Sequence, residues 1–266
     1  MDKFPTTIYD FGMNNGDDVA YYLKKADRVV AVEANVALCR LAEQIFELEI
    51  SNGRLTILNV ALSDIVSDEP LPFYIHKNNH VISQLPRPSD EEIHHFEEVL
   101  VPQRTADSII KQYGIPHYVK IDIEHYDQFV LKNLFESGIS PDYISAESHS
   151  AEVFCLLGAM GYKSFNLVDG ASVEKVYKFP EHSAGPFGAD ILTPWHDLES
   201  FFYLLAAERL GWKDIHASMV IEPQVFTPPS LKMGLSEHLR DLVPSIGRAV
   251  RHRLGKRLRQ SEVLEK

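Results

Sequence analysis

Apolar residues in this chain recur at two periods, and the two periods alternate along it. Short β-branched and aromatic runs bounded by Gly, Asn or Asp occur at 7–11, 28–32, 55–60, 118–121 and 143–146; they read as strands. Between them the apolar positions fall three or four apart. Residues 17–25 carry acids in the first turn and lysines in the last, which suits a helix dipole. Residues 34–48 place Leu38, Leu41, Ala42, Ile45 and Phe46 at helical spacing. A helix over 106–113 has Thr105 as its N-cap, one over 126–136 is stopped by Gly138, and one spans 151–160. Strand, helix, strand, helix at this rhythm predicts an α/β fold, a doubly wound and mainly parallel Rossmann-like sheet.

Less regular stretches follow the same logic. Residues 71–75 predict a short extra strand, 99–104 another ordered run, and 162–168 and 173–179 the last two strands. A Gly- and Pro-rich loop over 180–194 leads to a helix over 197–210. Residues 76–98 break the pattern with His76, His80, His94, His95, two prolines and a run of acids. Their spacing fits no standard metal set, so they read as a solvated, mobile loop or lid.

Charge divides the chain in two. Of 26 Lys+Arg and 38 Asp+Glu, residues 229–266 hold nine basic and four acidic. The preceding 1–228 is therefore strongly acidic and forms the expected catalytic domain; 229–266 is a basic tail. Within 236–259, Leu239, Leu242, Val243, Ile246, Val250, Leu254 and Leu258 make one apolar stripe among arginines. Such a helix packs on its own domain or a second copy, or lies on an anionic membrane. An acidic body argues against nucleic acid as a partner. With 45% hydrophobic and 24% charged residues, the composition is that of an ordinary globular protein. The absence of a signal-like start, and Cys39 and Cys155 read as reduced core thiols, point to the cytoplasm.

The chemistry begins at the first turn. Asp10-Phe-Gly12-Met-Asn14-Asn-Gly16 joins a strand to a helix start, and Glu33 ends the next strand, where an acid suits a ribose diol. A dinucleotide fingerprint needs a third glycine and no acid against its pyrophosphate. Asp10 instead suits the cationic amino-acid end of S-adenosylmethionine. A nicotinamide-dependent oxidoreductase shares the fold but fits this spacing less well. Further on, Asp122, Glu124, His125, Glu147 and His149 gather at the ends of two strands that should be neighbours. His125 or His149 could serve as a base; alternatively Asp122, Glu147 and His149 could ligate Mg²⁺.

With Ala31-Val32-Glu33-Ala34-Asn35, Asn59-Val-Ala61-Leu-Ser63-Asp64, Val119-Lys120-Ile121-Asp122-Ile123-Glu124 and the strand-end Glu147, the ordered set resembles the FkbM-type methyltransferase domain over about residues 7–150. That resemblance implies a class I fold and S-adenosylmethionine-dependent O-methylation of a sugar or natural product. It implies that Asp10, Gly12, Asn14 and Gly16 hold the methionine end, that Glu33 with Asn35 beside it meets the ribose, and that Ala61 and Leu62 flank adenine. The family usually reads Asp-x-Glu-Gly after the fourth strand, and His125 replaces that glycine. A scaffold that binds cofactor without catalysis is the alternative of a different class, since fold does not entail activity.

Overall fold

The computed structural model describes residues 6–182, 185–208, 210 and 212–224. In chain order the elements are β1 (Thr7–Phe11), α1 (Val19–Lys25), β2 (Arg28–Val32), α2 (Val36–Ile45), α3 (Glu47–Ser51), β3 (Leu55–Leu58), β4 (Ala61–Leu62), β5 (Leu71–His76), β6 (Phe96–Val101), β7 (Gln103–Arg104), α4 (Ala106–Tyr113), β8 (Pro116–Ile121), α5 (Asp127–Glu136), β9 (Tyr143–Glu147), α6 (Ala151–Ala159), β10 (Ser164–Asp169), α7 (Val173–Val176), α8 (Leu198–Glu208) and β11 (Lys213–Ser218). Seven strands form one sheet in the order β3-β2-β1-β8-β9-β11-β10. The first five run parallel, and β11 lies antiparallel to both its neighbours. The order reverses between β1 and β8, which opens a crevice at their carboxyl ends.

Strand alternation sorts the core onto the two faces of the sheet. Tyr9, Phe11, Val30, Val32, Val119 and Ile121 pack in one cluster with α4, α5 and α6 residues such as Ile109, Leu131 and Val153. Ile8, Val29, Ala31 and Tyr118 pack in the other with Tyr22 of α1 and Ala42 of α2. On this second face the alternation also places Asp10 and Lys120, which are cross-strand partners in register.

Several expectations need correction. Residues 173–179 do not form a strand: Asp169 accepts a hydrogen bond from the Ala171 amide, the chain turns, and 173–176 is one turn of helix. The sheet position beside β10 is taken by β11, to which Tyr177 is tied through His216 at 3.0 Å. In α2 the buried stripe is Leu38, Cys39 and Ala42, while Leu41 and Ile45 face outward. Cys39 is a core thiol, but Cys155 is exposed. Thr105 stands at the N-cap of α4 without a side-chain capping bond.

The stretch 76–98 has more order than its polarity suggests. β5 and β6 pair antiparallel, so it is the closed end of a hairpin. Tyr74 and Gln84 exchange backbone bonds, and His76 Nδ1 accepts from the Asn78 and Asn79 amides. Its first histidine builds a turn.

The chain divides into two units, Met1–Phe226 and Thr227–Lys266. The helix and apolar stripe expected over 236–259 lie outside the described residues. Among the described residues no helix is long and apolar enough to cross a membrane.

Candidate functional site

The end of β1 crosses closely under the end of β8. Gly12 has φ +91°, and a Cβ there would stand 1.9 Å from the Asp122 carbonyl oxygen, so only glycine lets the two strand ends meet. The amides of Gly12 and Met13 both donate to the Val32 carbonyl, which ties the turn to β2.

Beneath this turn lies a buried charge nest. Lys120 Nζ stands 3.5 Å from Asp10, 3.3 Å from Asp122 and 3.9 Å from Asp18. It also donates to the Gly12 carbonyl at 3.4 Å. Burial acts to lower the lysine pKa, but the three carboxylates outweigh it and hold the ammonium charged. Burial pushes the Asp10 carboxyl up, against the pull of Lys120. Burial likewise raises Asp18, to about 6. Asp10 is fully buried and lines neither cavity of the cleft. Lys120 forms the surface above it.

One cavity is lined by Gly12, Asn14, Glu33, Leu38, Ala61 and Leu62, with Asp122, Ile123 and Glu124 at its edge. Glu33 accepts from the Asn14 amide at 2.9 Å and the Asn35 amide at 2.7 Å. Burial raises its carboxyl to about 7, the two amides opposing. Asn14 takes a left-handed φ of 54°, and its side-chain oxygen is buried without a hydrogen-bond partner among the described residues. The outer wall is Phe73 with His80, Val81 and Leu85 of the hairpin, so the stretch read as a lid does border the cleft. Gly16 and Asn35 stand behind this surface. Gly16 packs toward Phe46 and Ala42, and Asn35 caps α2 by accepting from the Ala37 amide.

A second cavity shares Asn14, His80, Val81, Asp122 and Glu124 with the first. It continues past Asp17, Asp18 and Lys120 to Glu147, Trp212, Lys213 and Asp214. At its rim stand the remaining predicted residues. His149 Nε2 lies 2.7 Å from Glu147 and 3.8 Å from Glu124. The Glu147 carboxylate beside it raises the His149 pKa against burial. Burial raises Glu124 to about 7, with Glu147 and Asp122 adding to it. The His125 and His149 rings are 4.5 Å apart; burial, with His149 adding, lowers the His125 pKa. Asp127 accepts from the Glu147 amide, which fixes this strand end against α5. Tyr126 donates to Asp64 at 2.6 Å, joining it to the loop after β4. The set Asp122, Glu147 and His149 is regrouped here: Asp122 turns to Lys120, while Glu124, His125 and His149 come together.

The signature of the methyltransferase FkbM domain matches residues 10–159, more than half of the chain. The chain belongs to the FkbM methyltransferase family. Comparison with curated proteins returns no significant match. Among solved structures the chain is similar to the StiE O-MT domain (8% identity, 82% of this chain and 70% of that one, TM-score 0.38). It is similar to a precorrin-6y C5,15-methyltransferase from Geobacter metallireducens (10%, 80% and 78%, TM-score 0.37). A third is an O-methyltransferase from Bacillus cereus in complex with SAH (12%, 80% and 74%, TM-score 0.32).

Membership makes this an S-adenosylmethionine-dependent methyltransferase by family, and the residues present fit that cofactor. A glycine cradle, the unpartnered Asn14 oxygen, the Glu33 carboxylate and apolar walls at Leu38, Ala61 and Leu62 line one continuous surface. The family's glycine after Asp-x-Glu is His125 here, yet the backbone keeps a glycine-like φ of 65°. The position keeps a backbone conformation that suits glycine and carries an imidazole on the rim. Lys120 had no role in the sequence pattern. Its signal was a lone charge inside the apolar run Tyr118 to Ile121, which has meaning only beside Asp10.

Proposed function

We propose that the protein transfers the methyl group of S-adenosylmethionine to a hydroxyl oxygen of a sugar or a hydroxylated natural product. The observation that carries this reading is the continuity of the two cavities: one half with Glu33 at one end and a polar half that reaches Glu147, against which His149 stands at 2.7 Å. Asp122 and Glu124 at the junction favour a cationic sulfonium, and with Glu33 at the far end of the cofactor half they repel a pyrophosphate, which disfavours nicotinamide dinucleotides. The polar half offers hydrogen-bonding groups at Asn15, Asp17, Lys120, Lys213 and Asp214 rather than a flat apolar wall, which suits several hydroxyls.

Bound cofactor supplies an electrophilic methyl on sulfur. The protein's part is to hold the acceptor oxygen in line with it and to accept one proton. His149, held by Glu147 at 2.7 Å, is the base in this reading. The charge left on the imidazole is balanced by that carboxylate. Gly12, Asn14, Glu33, Ala61 and Leu62 are the cofactor contacts, with Asp10 acting through Lys120 from below.

Two measurements test it. Calorimetry with S-adenosylhomocysteine should give binding that Glu33→Ala loses and Glu147→Ala keeps. Transfer from labelled S-adenosylmethionine to a panel of hydroxylated acceptors, with the product site mapped by mass spectrometry, should place the methyl on oxygen and depend on Glu147. Absent S-adenosylhomocysteine binding, or a methyl found on nitrogen or carbon, overturns the reading.

A further inference from the structure

The ligand atoms of Glu124, His125 and His149 all lie within 4.8 Å of one another, and this is the one such group among the described residues. Donors on a single first-row ion, each about 2.0–2.2 Å from it, stand roughly 3–4 Å apart. The three side chains therefore close on an ion with sub-ångström to ångström adjustments. Glu147 borders the set at 2.7 Å from His149 Nε2. Glu124 and His149 side chains each keep 20% exposure, so the group opens to solvent.

His125 adds an independent argument. Its backbone sits at φ 65°, where a non-glycine residue costs about 1–2 kcal/mol. The side chain is exposed, so it fills no core space that would offset this strain. What the residue contributes is an imidazole 4.5 Å from that of His149, on the same rim. Strain retained without packing marks a functional position.

We propose that Glu124, His125 and His149 bind one nitrogen-seeking divalent ion of the Zn²⁺ or Co²⁺ kind, at the rim of the second cavity, where Glu124 also lines the first. Two imidazoles and one carboxylate suit such ions, whereas Mg²⁺ demands an octahedron of oxygens. The binding stands independently of the reaction; its use rests on the methyltransferase reading. An acceptor hydroxyl on the ion loses its proton more readily, and with His149 engaged that proton passes to Glu147. The oxygen lone pair then forms the new C–O bond as the S–C bond breaks, its electron pair leaving with the neutral thioether.

The test uses full-length protein stripped with chelator and titrated with ZnCl₂ by calorimetry. One ion per chain is expected, undisturbed by millimolar MgCl₂. His125→Gly should weaken binding at least about tenfold, with an unchanged or raised melting temperature because glycine suits that φ. A Co²⁺-loaded sample should show visible bands that His149→Ala removes. No stoichiometric binding overturns the proposal, as does wild-type affinity in both variants, which would put the ion on other histidines. Displacement by Mg²⁺ overturns the choice of ion. Binding of S-adenosylhomocysteine to the stripped protein reports the methyltransferase reading separately, so each can fail alone.

Discussion

Replacing Gly12 by alanine probes the close crossing of β1 and β8 on which the whole cleft depends. Two costs add there. The left-handed backbone, at φ +91°, costs a β-carbon about 1–2 kcal/mol. The new atom would also meet the Asp122 carbonyl oxygen at 1.9 Å, and that oxygen belongs to backbone. Relief requires β8 to move by more than an ångström, against its parallel pairing with β1 and the Asp122 amide bond to the Phe11 carbonyl at 2.9 Å. Overpacking of this kind costs about 1–3 kcal/mol, so Gly12→Ala should lose about 2–5 kcal/mol in all. Gly53→Ala is the matched control, because φ is +77° there and nothing lies within 4 Å of the added atom. It should lose only the conformational part. In a domain of this size about 1 kcal/mol lowers the melting temperature by roughly 2–4 °C. Urea titrations followed by circular dichroism would compare both variants with wild type, beside their affinities for S-adenosylhomocysteine. Equal losses in the two variants would refute the reasoning, since the contact with Asp122 would then contribute nothing.

Three further outcomes are expected. Lys120→Met leaves Asp10, Asp18 and Asp122 without their shared ammonium and should destabilise by about 3–5 kcal/mol; adding Asp10→Asn should recover part of it, and a double-mutant cycle that shows no coupling would remove the nest as a unit. Asp18 and Glu33 have folded-state pKa values raised to about 6 and about 7, above their unfolded values, so the folded chain holds more protons. Their contribution is full below about pH 4 and is lost as pH rises through 6 and 7, so urea midpoints of cofactor-free protein should fall across that window and Glu33→Gln should flatten the fall. A chain ending at Pro228 should bind S-adenosylhomocysteine as the full-length protein does, and a large loss of affinity on calorimetry would assign the tail a part in the cleft.

The sequence by itself determined the elements whose signal is local. The run Arg28 to Val32 is a strand over the residues its composition marks, because its four apolar positions, Val29 to Val32, need only bury themselves. The same holds for β1, and β8 and β9 match to within two residues at one end, and so the residues at their carboxyl ends, from Gly12 and Glu33 to Asp122 and Glu147, are assigned to a cleft by the strand pattern alone. Only the tertiary structure decided which of those residues meet. Asp10 and Lys120 are 110 positions apart and become partners through the register of β1 on β8. His149 joins Glu124 and His125 because β9 lies beside β8. β11 is the extreme case: Lys-Asp-Ile-His-Ala-Ser has little strand character of its own and is extended because β9 and β10 supply hydrogen bonds along both its edges. Periodicity reports what a segment buries with its neighbours in sequence, whereas pairing is set by strands that arrive from elsewhere in the chain, and no local window contains them.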